Sequence, residues 1–140
     1  MEARYYVPTI DEFFCGFECE IKGKNESNWS KLVLGKDAIW HLFTNLEHLD
    51  QATEQIRVKS LCRQDIEECG WERDSSSSDW SAFNLKSESK YNHCLTIDVG
   101  SKKEIGKNIV IFNNDGVIFK GTIRNKSELL KIMQQCGISA

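Results

Sequence analysis

Ile109-Val110-Ile111-Phe112-Asn113-Asn114-Asp115-Gly116-Val117-Ile118-Phe119 is the stretch on which the fold turns. Two β-branched runs, each ending in phenylalanine, flank an Asp-Gly pair. Such residues suit a pleated, half-buried surface. Asp-Gly supplies the positive φ angles that a tight hairpin turn demands. The stretch therefore predicts an antiparallel hairpin. Just after it, Asn125-Lys126-Ser127-Glu128 has the form of a helix cap with a glutamate in the first turn. Leu129, Leu130, Met133 and Cys136 make an apolar stripe. Gly137 suits the left-handed residue that closes a helix, and Ile138 can pack back on it. The C-terminal third reads as a hairpin followed by a helix.

The same reasoning extends toward the N-terminus. Tyr91, His93, Leu95, Ile97 and Val99 alternate with polar neighbours and read as a strand. Trp80 to Leu85 reads as an edge strand. Asp74-Ser75-Ser76-Ser77-Ser78-Asp79 is a polar, low-complexity loop. Arg63 to Cys69 is a short helix stopped by Gly70, with Trp71 next. Gln55 to Leu61 is a strand with Arg57 and Lys59 on one face. Ile39, Leu42, Phe43, Leu46 and Leu49 recur at helical spacing, so Asp37 to His48 reads as a helix capped by Asp37. Phe13 to Lys22 and Trp29 to Leu34 form a hairpin around the turn-like Gly23 to Asn28. Thr9-Ile10-Asp11-Glu12 is a capping box. The sum is one α+β domain over residues 1–140. It has a mostly antiparallel sheet of five to seven strands and two or three short helices.

Composition bounds the function. The chain has 140 residues, 18 Lys+Arg, 21 Asp+Glu and a net charge of −3. Its mean hydropathy is −0.45. These values suit one soluble globular domain. No apolar run approaches the roughly 20 residues of a spanning helix. The acidic balance argues against generic nucleic-acid binding. The N-terminus lacks the apolar core of a signal peptide, so a cytoplasmic location is expected.

Six cysteines occur: Cys15, Cys19, Cys62, Cys69, Cys94 and Cys136. In the cytoplasm they stay reduced. Zinc needs paired ligands at short spacing, and Cys15-x3-Cys19 and Cys62-x6-Cys69 do not supply it. On a strand, Phe13, Cys15, Phe17, Cys19 and Ile21 share one face. Both cysteines then behave as small core hydrophobes.

No nucleophile elbow and no Walker or Rossmann glycine pattern occurs. His41, His48 and His93 read as structural. Glu18 and Glu20 share a strand face and could point into one metal site, and with His93 they are the first suspects for an enzyme. The blander reading is a solvated face. No catalytic residue, metal ligand or cofactor is expected. Four tryptophans are many for this length. Arg57, Lys59 and Arg73 lie near Trp71 in sequence, around one short helix, and Trp80 follows the serine loop. Tryptophan faces with arginine nearby suit stacking a base and pairing its phosphate. These residues are the candidate ligand site. The competing reading makes Trp71 a core plug and the bases a solvated face.

Three blocks then carry a resemblance: Tyr6-Val7-Pro8-Thr9-Ile10-Asp11-Glu12-Phe13 with Gly16-Phe17-Glu18; Ile56-Arg57-Val58-Lys59 with Asp65-Ile66-Glu67 and Gly70-Trp71; and Gly121 to Leu129. The chain resembles a group of small proteins from phages and mobile elements of anaerobic gut bacteria. The resemblance brings no catalytic residues. It implies an accessory protein made in a bacterial cytoplasm. The expectation is a homo-oligomeric binding protein that sequesters a nucleotide immune signal of the host. Its rivals are an inhibitor or adaptor acting on a host protein, and a small nucleotide-degrading enzyme.

Overall fold

The computed structural model describes residues 4–23, 25–36, 54–75, 81–86, 93–98 and 105–138. The chain divides into two compact units, Met1–Lys59 and Ser60–Ala140. The α+β class holds: the strands form two antiparallel sheets, accompanied by short helices. No described helix is long and apolar enough to cross a membrane.

The first unit contains β1 (Tyr5–Tyr6), a 3-10 turn (Ile10–Glu12), β2 (Glu18–Gly23), β3 (Ser30–Val33) and β4 (Glu54–Lys59). Their order across the sheet is β1-β4-β2-β3. The expected hairpin is present, with Cys19 opposite Leu32. Its first strand starts later than the alternation suggested. The Phe17 N–H donates to the Phe14 carbonyl at 3.0 Å, closing a tight turn with Gly16 at φ 94°. Glycine enters that left-handed region without a Cβ clash, so the strand begins at Glu18. The shared cysteine face is therefore corrected: Cys15 is exposed on the turn and Cys19 is buried. Phe17, Cys19, Leu34, Ile56 and Val58 form the core, with Phe13 and Phe14 edge-on to Phe17. The Thr9–Glu12 capping contact also forms. The buried Glu12 carboxylate accepts from the Thr9 N–H at 2.6 Å and from the Tyr6 hydroxyl at 2.7 Å. The expected helix over Asp37 to His48 lies outside the described residues.

The second unit contains α1 (Arg63–Glu68), β5 (Trp71–Arg73), β6 (Ala82–Leu85), β7 (Cys94–Ile97), β8 (Lys107–Asn113), β9 (Gly116–Ile123) and α2 (Lys126–Gln135). The strands pair antiparallel in chain order, β5-β6-β7-β8-β9. The β8–β9 hairpin closes with Asn113 opposite Gly116, and a register shift follows at Ile111/Phe112. β6 is an inner strand and not the expected edge, because Trp71–Arg73 adds itself outside it. Leu61, Ile66, Trp71, Phe83, Leu95, Ile109, Ile111, Ile123, Leu129 and Met133 are the heart of the core, one face of the sheet meeting both helices. Asn125 caps α2 by accepting the Glu128 N–H at 2.8 Å. At the other end the N–H of Ile138 reaches the Met133 carbonyl and that of Gly137 reaches Gln134, the paired bonds of a Schellman ending.

All six cysteines are free thiols. Burial, with a smaller push from the Glu20 charge, raises the Cys19 thiol from 9.0 to about 11. Burial likewise raises Cys69 to about 11. There Lys126 lowers the value and Asp65 and Glu68 raise it.

Candidate functional site

Strand alternation builds a polar face on the first unit's sheet. On β4, Ile56 and Val58 enter the core, so Arg57 and Lys59 take the opposite face. On β2, Cys19 goes inward, so Glu18, Glu20 and Lys22 go outward. On β1, Tyr6 packs against the core, and Tyr5, opposite Lys59, faces out. Trp29 stands one residue ahead of β3 and is half-buried.

Arg57 is the hub of this face. It sits opposite Glu20 in the β2–β4 register, and its Nε–H donates to Glu20 Oε2 at 2.6 Å. Its guanidinium carbon lies 3.8 Å from the centre of the Tyr5 ring and 4.2 Å from that of Trp29. The Lys22 ammonium lies 5.3 Å from the Trp29 ring. Cations this close to aromatic faces gain roughly 0.5–1 kcal/mol each at exposed sites, and more when dry. The Arg57 and Glu20 side chains are 27% and 30% exposed, so solvent partly screens the ion pair.

These contacts fix the guanidinium plane and leave much of its donor capacity over. Among the described residues, no acceptor meets the Nη groups of Arg57. The Tyr5 hydroxyl and the Trp29 indole N–H have none either, and no buried side-chain polar atom is left unsatisfied. These groups therefore open to solvent. Arg57 and Lys22 outweigh Glu20, which makes the surroundings of Arg57 locally cationic. Lys31, opposite Glu20 on β3, pairs with Glu18 at 3.3 Å. The arrangement can stack a flat ring and hold an anion. It shows no acid–base pair. Glu18 and Glu20 do share a face, but a cation engages each of them.

The residues expected to bind a ligand have different fates. Arg57 and Lys59 lie on this face. Trp71 does not offer a stacking surface: it is 0% exposed in the second unit's core. Its indole N–H donates to Met133 Sδ at 3.3 Å. Arg73, two residues on, lies half-buried on the same side of β5. Trp80, His41 and His48 lie outside the described residues. His93 is half-buried just ahead of β7. No group of three or more His, Cys, Asp or Glu able to hold a metal occurs among the described residues.

Tyr5, Lys22 and Trp29 are site residues that the sequence reading passed over. Lys22 was within reach, since alternation aligns it with Glu20. Tyr5 and Trp29 required knowing that β4 lies between β1 and β2.

No family model, curated protein or solved structure matches this chain.

Proposed function

We propose that this is a binding protein which sequesters a nucleotide without catalysis, an accessory protein of phage type acting in a bacterial cytoplasm against a host immune signal. One observation carries the reading: the Tyr5–Arg57–Trp29 group on the outer face of the first sheet. The core does not require it, since Ile56, Val58 and Cys19 supply the packing from the other face. Stacking platforms beside guanidinium groups are a general solution for flat bases carrying phosphates. The phage-type context comes from the sequence resemblance alone.

A homo-oligomer belongs to the same proposal. Among the described residues β9 pairs only with β8, and Val117 on it is 63% exposed. Such an edge can accept a strand from a second copy. A monomer mass by light scattering removes this part of the proposal.

Thermal denaturation against cyclic dinucleotides, cyclic trinucleotides, ADP-ribose derivatives and ordinary nucleotides tests the function. A ligand at one hundred times its dissociation constant adds about 2.7 kcal/mol. That raises Tm on the order of 5–11 °C for a chain of this size. The expected result is a selective shift with the nucleotide recovered intact. A flat response transfers the role to a host-protein partner. Turnover transfers it to an enzyme.

A further inference from the structure

We propose that the Nη edge of Arg57 is a phosphate subsite, with Lys22 and the open edges of Tyr5 and Trp29 as its surroundings. This rests on the nucleotide reading and names the part of the ligand that the site grips. Three contacts hold the guanidinium: Glu20 on Nε, and the Tyr5 and Trp29 rings beside it. None of them uses the Nη groups. A guanidinium fork offers parallel N–H donors at the spacing of phosphate oxygens, and such bidentate pairs are among the strongest hydrogen bonds in proteins. Glu20 therefore orients the fork and leaves its outer edge for the ligand. Holding the side chain in advance also lowers the ordering cost of binding. Glu18 is paired with Lys31, and the positive excess of Arg57 and Lys22 over Glu20 favours an anion there, while the solvent-facing Trp29 N–H and Tyr5 hydroxyl add donors.

Lysine at position 57 keeps the charge and loses the fork. The test is calorimetric titration of wild type, Arg57→Lys and, as a control, Lys86→Gln at an exposed lysine after β6 in the second unit, with ADP, a cyclic dinucleotide, adenosine and inorganic pyrophosphate. Circular dichroism checks that all three proteins are folded. The expected result is binding of a phosphate-bearing nucleotide by wild type and Lys86→Gln, with adenosine far weaker. Arg57→Lys then loses about tenfold or more for the nucleotide, and for adenosine it matches wild type, because charge-assisted pairs contribute roughly 1.5–3 kcal/mol. Equal nucleotide affinity in Arg57→Lys and wild type overturns the subsite and leaves the nucleotide reading standing. Pyrophosphate binding that needs Arg57, with no nucleotide binding, supports the subsite and ends the nucleotide reading. No binding of any phosphate-bearing probe overturns the subsite.

Discussion

Cys15 and Cys19 belong to one short stretch and meet opposite environments. A glycine between them decides the matter, because Gly16 at φ 94° turns the chain before the strand begins. The alternation of Phe13, Cys15, Phe17 and Cys19 is real in the sequence, but a glycine inside a strand pattern is itself a sign of a bend. Burial of Cys19 and Cys69 has a consequence in alkali. Both thiols titrate near 11 in the folded chain against 9.0 for an ordinary thiol. As pH rises from 9 toward 11 the unfolded chain loses these protons first and is favoured. The stability they support is fully present below pH 9 and declines above it. Urea midpoints between pH 8 and 10.5 should fall less steeply in a Cys19→Ala/Cys69→Ala variant than in wild type. Identical slopes would show that these thiols do not contribute.

Elements whose signals are local were readable from the sequence, and those set by distant partners were not. The β8–β9 hairpin and the capped α2 depend on Asp115-Gly116, Asn125 and Gly137, each acting on its neighbours. β5 is different. Trp71-Glu72-Arg73 carries no strand pattern of its own, and its pairing with β6 makes it one. That pairing also buries Trp71, so the ring chosen for stacking is a core ring. The α2 cap gives an element-level prediction. The Asn125 side chain is buried and accepts the Glu128 N–H. Asn125→Ala should cost about 1–2 kcal/mol in urea unfolding, with the m-value unchanged. A loss under a few tenths of a kcal/mol would mean that the cap adds little. By contrast, the Lys126–Glu68 ion pair that links α2 to α1 is exposed at both ends and should matter little.

At the scale of the whole molecule, the chain carries two sheets, and the candidate site lies on the first. The face around Arg57 combines cations, rings and unused donors. Half of this site was readable: Arg57 and Lys59 follow from strand alternation. Its other half was not, because Glu20 and Arg57 are separated by 37 positions and meet only through the β2–β4 register. This face is the one proposed to take the ligand. Chemical-shift mapping during titration of a nucleotide that shifts Tm tests it most directly. The Trp29 indole N–H, the Arg57 Nε–H and the backbone amides of Tyr5 and Lys22 should move together, while the Trp71 indole N–H stays fixed. Movement centred on Trp71 and Arg73, with Trp29 and Arg57 unchanged, would contradict it.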